Sequence, residues 1–332
     1  MEIVGPYVSR RLGRVLGIET LPAGHCTLSC LHCPLAPPST HPPLPRDFGT
    51  DPAAVAEAVG RRLGELESRG GAVDALVLKP RGEATLDARL GDLLKALRKL
   101  GPKVALFTNG TLLHRPEVSQ AVLAADWVSL RVETTRHEAW LALNRPHPAV
   151  ALPEVVRGLL AFSKAFPGTL VTETTLVKGF NDDTDHLADL ARLLTHLRPF
   201  RSYLSFPPPS GRPEVQPPDP VHILECFEFL HSRLPGVRLL LPDIPGPEPP
   251  VGAGQERLLG LLAFRPFSER TLRQLLVPTG ISWEVVERLV EGGRVQRLSF
   301  KGQNHYLRAS LGWGTHRPAF GGCGEAAPAK SP

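Results

Sequence analysis

The chain has 332 residues, 42% hydrophobic and 21% charged, with a formal net charge of +5. That length can bury a large core plus a smaller domain, and no apolar run approaches the roughly 20 residues of a membrane span. Five cysteines over this length, behind an N-terminus (MEIVGPYVSRRLG) lacking an apolar signal core, argue against a disulfide-framed secreted fold. The mild positive charge permits an anionic partner without demanding one.

In chain order, residues 15–21 read as a first buried strand, followed at once by CTLSCLHCP. Cys26, Cys30 and Cys33 supply three thiolates from one short loop, one fewer than a closed tetrahedral site uses. A cubane cluster has four irons, so three thiolates suggest one with an iron left open to a non-protein ligand. A zinc knuckle completed by His25 or His32 is the alternative, disfavoured because no CxxC or HxxxH pair follows downstream. Cys226, in the apolar helical stretch HILECFEFL, reads as a core residue, and Cys323 sits in a Gly-rich tail.

Beyond a Pro-rich stretch (PLAPPSTHPPLP), Asp51 and Pro52 look like an N-cap and first helical position, with Val55, Val59, Leu63 and Leu66 on one face. Residues 75–78 read as a strand, the leucines from Leu86 to Leu100 as a helix, and 104–107 as the next strand. The alternation continues with a helix near 115–124, a strand at 127–132, a helix near 153–166 and a strand at 170–177. A helix opened by Asp182 or Asp183 and a strand at 203–206 complete six βα units. Such a series fits α/β architecture as a partial (βα)6 TIM-type barrel, with the loops after the strands gathered at one end. Those loops are polar and Gly- or Pro-bearing: LKPRGEATL, FTNGT, RVETTRHE, LVKGFND and SFPPPSGRP.

The CxxxCxxC triad after a first strand, the GEAT turn after the second and the TNG turn after the third resemble the radical S-adenosylmethionine (SAM) superfamily. VSRRLGRVLGIE, TNGTLLHRPEV, LNRPHP and LVKGFND resemble the branch containing wyosine-type tRNA synthases and many uncharacterised bacterial relatives. The resemblance covers about residues 5 to 240. It implies that Cys26, Cys30 and Cys33 hold a [4Fe–4S] cluster whose fourth iron binds the methionine moiety of SAM. One electron, delivered by a donor such as flavodoxin or ferredoxin, then generates a 5′-deoxyadenosyl radical. It also implies that the backbone at Gly82 and Glu83 receives the SAM ammonium, that Asn109 and Glu133 contact ribose or carboxylate groups, and that Val177 to Gly179 pack on adenine. For Asn109 and Glu133 the competing reading is a turn-forming Asn and a solvated strand-end Glu. Two positions depart from the pattern: Ala84 stands where a proline is expected, and His32 replaces the aromatic residue usual before the third cysteine, keeping a flat ring near the adenine.

Wyosine-forming relatives are expected to carry a second, upstream cysteine cluster and a Schiff-base lysine. No cysteine precedes Cys26 in the sequence, and Lys79 and Lys178 are more simply solvated loop residues. The substrate therefore stays open among tRNA, peptide and small molecule. The expected domain limits are 1–240 for the barrel, 241–254 for a Pro/Gly-rich linker, 255–310 for a small C-terminal winged helix-turn-helix-like domain and 311–332 for a flexible tail. In the small domain Ser268 and Ser282 read as N-caps, and Arg294, Arg297, Lys301 and Arg308 make a basic hairpin suited to RNA phosphate or an acidic leader peptide. Its third helix carries Glu284, Glu287 and Glu291 against Arg288, which argues against insertion into DNA. A reading of another class is a non-catalytic metal or iron–sulfur nucleic-acid-binding regulator using the winged domain, but such a protein has no need for GEAT, TNG and LVKG at successive strand ends. A cytoplasmic location without membrane contact is expected, since an exposed cluster needs reducing conditions.

Overall fold

The computed structural model describes residues 1–22, 24–33, 49–78, 82–207, 212–240, 255, 258, 259, 262, 266–300 and 302–309. The expected linker 241–254 and tail 311–332, with Lys79, Lys301 and Cys323, lie outside the described residues. Eight strands form one sheet in sequential order: β1 (Glu2–Ser9), β2 (Gly13–Glu19), β3 (Ala75–Leu78), β4 (Lys103–Thr108), β5 (Trp127–Arg131), β6 (Thr169–Thr175), β7 (Arg201–Ser205) and β8 (Val237–Leu239). Only the β1–β2 pair is antiparallel. From β2 to β8 all neighbours are parallel, linked by helical crossovers as in a partial TIM barrel.

The crossovers are α1 (Pro52–Glu67), α2 (Leu90–Arg98), α3 (Pro116–Val122), α4 (His137–Asn144) with α5 (Leu152–Ala165), α6 (Thr184–Leu197) and α7 (Pro220–His231). The six expected βα units are thus present, each strand from β2 to β7 being followed by a helix. Asp51 caps α1 by accepting the Ala53 N–H at 3.0 Å. Of the two candidate caps for α6 it is Asp183 that serves, accepting from Asp185 and His186, while Asp182 takes the Gly179 N–H. Three elements of the barrel escaped the sequence pattern. β1 is an edge strand whose register shifts between Val4 and Tyr7, where Gly5 and Pro6 make the segment look like a turn. β8 has three residues, too few to show a period, and α4 follows β5 directly with little apolar repeat.

Both sheet faces are apolar, which explains the unbroken hydrophobic runs. Leu16, Ile18, Leu76, Leu78, Leu106, Leu130 and Leu204 face the helices, where Leu90, Leu93, Leu94 and Leu97 of α2 are each 0% exposed. Each such leucine stabilises the fold by roughly 1.5–3 kcal/mol relative to exposure. Val15, Ala75, Val77, Ala105, Trp127, Val171 and Tyr203 line the other face. Arg11, in the β1–β2 turn, enters this inner face among the rings of Phe107, Trp127 and Tyr203 and donates to Glu173 Oε2 at 2.6 Å.

The C-terminal segment contains β9 (Phe267–Ser268), α8 (Glu269–Leu276), α9 (Trp283–Glu291), β10 (Val295–Phe300) and β11 (Gln303–Arg308), with an antiparallel sheet in the order β10-β11-β9. It has its own core of Leu258, Leu259, Leu262, Phe267, Leu272, Leu276, Val286, Leu289, Val295 and Tyr306. Ser268 caps α8 by accepting the Thr271 N–H. Ser282 occupies the N-cap position of α9 in extended conformation, but its side chain makes no capping bond. Leu307, fully buried, and Leu298 pack into the main core, so this sheet is docked on the barrel.

Candidate functional site

The cysteine loop follows β2 and lies at the carboxyl end of the parallel strands, as the expected loop order requires. Cys30 is buried, and Cys26 and Cys33 are partly so. The Cys33 N–H donates to Cys30 O at 3.0 Å, and the Leu28 N–H to Cys26 Sγ at 3.5 Å. A second segment, the LNRPHP run leaving α4, braces this loop. Leu28 and Pro146 form an antiparallel bridge, Ser29 N–H donates to the Asn144 and Arg145 carbonyls, Leu31 N–H to Leu143 O at 2.7 Å, and His147 N–H to Thr27 O at 2.9 Å. Arg145 turns the chain at a φ of 44°, a left-handed conformation uncommon outside glycine. Arg212 Nη1 adds a bond to Leu31 O at 2.8 Å.

The GEAT turn is joined to the same loop. Glu83 N–H donates to His25 O at 2.8 Å, and Gly82 lies so close that a Cβ there would meet His25 O at 2.1 Å. The Glu83 side chain, 2% exposed, points into the protein. Its Oε1 accepts from Thr85 N and Oγ1 and from Thr108 Oγ1 at 2.5 Å, and its Oε2 accepts the Asn109 N–H at 2.7 Å. Asn109 makes the turn expected of it, accepting at Oδ1 from Thr111, and its Nδ2 reaches Thr27 Oγ1 at 2.9 Å and Cys26 Sγ at 3.5 Å.

Glu133 is 4% exposed, which overturns the reading of a solvated strand-end residue. Its Oε1 lies 3.1 Å from Arg131 Nη1 and 3.2 Å from His32 Nε2, and its Oε2 accepts the Thr175 N–H at 2.6 Å. Burial opposes the charge of this carboxylate, yet His32, Arg131 and the Thr175 amide together hold its pKa below the usual carboxylate value. Burial likewise opposes the Arg131 charge, and the neighbouring Glu173 and Glu133 outweigh it, holding the guanidinium pKa above its ordinary value. Val177 is fully buried; its N–H donates to Asn181 Oδ1, and Asn181 Nδ2 ties this turn to Glu133 O and Thr175 O.

Burial, then the negative charge of Glu133, pushes the Cys30 thiol up to about 12 against the hydrogen bond from Asn144, and burial with Glu83 raises Cys26 as well. Such thiols keep their protons until a metal replaces them. Among the described residues no three His, Cys, Asp or Glu side chains are placed to hold a single metal ion. Beside the loop lies a narrow cleft lined by the polar side chains of Asn109, Glu133, Thr134 and Asn144 and by the apolar side chains of Trp140 and Val155. Lys178 is exposed and its N–H donates to Gln216 O. The structure thus gathers the cysteines, Gly82, Glu83, Asn109, His32 and Glu133 in one place, and buries Val177 in its own turn. Sequence reasoning missed Arg131, Thr175, Asn144 and Asn181; the last two stand in LNRPHP and LVKGFND, where the motifs alone give no contact.

A partial barrel with three thiols on the loop after its first parallel strand is the framework of an enzyme that builds its site at the strand ends. The Radical SAM superfamily profile matches residues 20–191, and the chain belongs to that superfamily. It is 28% identical over 308 residues to the UPF0026 protein MJ1312 of Methanocaldococcus jannaschii, covering 92% of this chain and 95% of that one. Among solved structures it is similar in fold to TYW1 with a lysine-pyruvate adduct bound, with a TM-score of 0.51 and 15% identity, covering 70% of this chain and 78% of that chain. It is also similar to Streptococcus suis SuiB bound to the precursor peptide SuiA, with a TM-score of 0.50 and 14% identity, covering 69% and 50%. Members of the superfamily use a [4Fe–4S] cluster and SAM, and the chain is an enzyme of that general SAM-cleaving class. Among the described residues no helix is long and apolar enough to cross a membrane.

Proposed function

We propose that Cys26, Cys30 and Cys33 hold the [4Fe–4S] cluster and that SAM binds beside it, against the Gly82–Glu83 backbone and the cleft edged by Asn109 and Glu133. The observation that carries this reading is the pair of side-chain amides, Asn109 and Asn144, each 3.5 Å from a cysteine sulfur of one braced loop. Amide donors suit thiolates that carry charge in a bound cluster. When bound and reduced, the cluster supplies one electron that cleaves the sulfonium C–S bond of SAM, giving methionine and a 5′-deoxyadenosyl radical that takes hydrogen from the substrate.

The chain's own residues position this chemistry. Glu83, saturated by four donors, fixes the GEAT and TNG turns relative to each other and leaves backbone groups to meet the ligand. Glu133 holds His32 beside the loop, and the apolar wall at Trp140 and Val155 excludes water from one side of the cleft.

The exposed Lys178 does not favour an adduct of the kind named for TYW1, and the substrate class stays with tRNA, peptide or a small molecule. The barrel over 1–240 is read as the catalytic domain, and the docked C-terminal segment as a winged helix-turn-helix-like module over 255–310 that assists substrate recognition. Electron delivery is assigned to a flavodoxin or ferredoxin. The test is anaerobic reconstitution with iron and sulfide, then dithionite and SAM. We expect 5′-deoxyadenosine from the wild type and none from Cys30→Ala. Zinc binding with no 5′-deoxyadenosine would overturn the enzyme reading in favour of a metal-binding regulator.

A further inference from the structure

The LNRPHP run does two separable things to the cysteine loop. Its backbone pairs with residues 27–31, as described above, and these bonds do not depend on the Asn144 side chain. The Asn144 side chain, 3% exposed, donates from Nδ2 to Cys30 Sγ at 3.5 Å. Its other polar atom, Oδ1, is buried with no hydrogen-bond partner among the described residues. Asn144 also lines the cleft beside the loop.

This arrangement is wasteful for packing alone. A buried amide oxygen left unpaired carries an uncompensated desolvation cost, which an apolar side chain of similar shape would avoid. The backbone brace would survive that replacement. The amide is therefore retained for its contact with the sulfur, and we infer that Asn144 is a positioning residue that sets the reduction potential of the cluster through Cys30. The inference rests on the assignment of Cys30 as a cluster ligand. An N–H aimed at a thiolate withdraws charge from it and favours the more negative, reduced cluster, so the bond raises the potential.

The experiment uses the full chain, anaerobically reconstituted, in a redox titration followed by the electron paramagnetic resonance signal of the reduced cluster. Iron content and the oxidised absorption spectrum are recorded for each protein. Asn144→Leu keeps the volume and the backbone brace and removes the donor. We expect its ratio of reduced to oxidised cluster at a fixed potential to fall about tenfold, a lowering of ~59 mV for one electron. Asn144→Asp, which turns a carboxylate toward the sulfur, is expected to fall further. Leu141→Ala, on the exposed side of the same helix, controls for general disturbance of α4 and is expected to match the wild type.

A potential for Asn144→Leu equal to that of the wild type, or raised, overturns the inference while leaving the cluster assignment intact. Loss of the cluster from both Asn144 variants with Leu141→Ala intact also overturns it, because Asn144 would then be a loop brace only. A wild-type chain that binds no cluster refutes the assignment beneath it, and the inference with it.

Discussion

Replacing Gly82 with alanine tests whether the GEAT turn and the cysteine loop are one packed unit. A Cβ at Gly82 would sit 2.1 Å from His25 O, 2.8 Å from His25 C and 3.2 Å from His25 N. Contacts under 3.0 Å essentially never occur for a real Cβ, so the backbone before Cys26 must retreat by about 0.9 Å or the turn must lift away. Neither neighbour is a flexible side-chain tip, because the contact is backbone against backbone. Overpacking of this kind costs roughly 1–3 kcal/mol. The displaced carbonyl also weakens the 2.8 Å bond from Glu83 N–H, worth about 1 kcal/mol. We therefore expect Gly82→Ala to destabilise the metal-free protein by roughly 2–4 kcal/mol. It should also lower the iron bound per chain after reconstitution, since Cys26 is carried away from its partners. Urea unfolding and iron analysis measure the two effects. Gly64→Ala is the control: it lies in α1 with nothing within 4 Å, and there alanine should be neutral or stabilising by up to about 1 kcal/mol. Wild-type stability together with full iron in Gly82→Ala would refute the close packing of the two loops.

Arg11→Met is expected to cost roughly 3 kcal/mol in urea unfolding, the low end for a broken buried pair, because Arg131 remains beside Glu173; a loss under about 1 kcal/mol would mean that water already solvates Glu173. Glu133→Gln removes the charge that three donors share and should cost roughly 1.5–3 kcal/mol, with unchanged unfolding midpoints counting against the network. Asp189 accepts from Arg136 Nε at 2.7 Å, tethering the start of α4 to α6, and that hydrogen bond holds its pKa below the ordinary value of 3.8. Its contribution is present above pH 3.8 and is lost as pH falls through the lower native value. Thermal unfolding of Asp189→Asn should therefore converge with that of the wild type in acid, and a constant gap at every pH would contradict the pairing.

Much of this molecule was legible in its sequence because the relevant physics is local. The helix starts at Asp51 and at the Asp182–Asp183 pair follow from residues suited to cap the first N–H groups of their own helices, the structure choosing Asp183 of the pair. The strands from β2 to β7 follow from apolar runs buried on both faces, and the cysteine spacing announces a three-thiol loop without any knowledge of the fold. What the pattern could not supply were bonds made across the chain. β1 was hidden by Gly5 and Pro6, whose local signal is a turn and whose strand exists only because β2 lies beside it. Glu133 read from sequence either as a ligand contact or as a solvated strand-end residue, and only the fold shows it as a buried anion surrounded by Arg131, His32 and the Thr175 amide.

The same division holds at the cysteines. Their order and number alone point to a cluster with one iron open, because each thiolate is a property of its own residue. Which groups touch those sulfurs was decided only by folding. Asn109 reaches Cys26 across 83 positions and Asn144 reaches Cys30 across 114, one from the turn after β4 and the other from the end of α4, which the fold brings to the same loop. Spacing within a motif carries no information about such distances, since the packing of the whole barrel sets them.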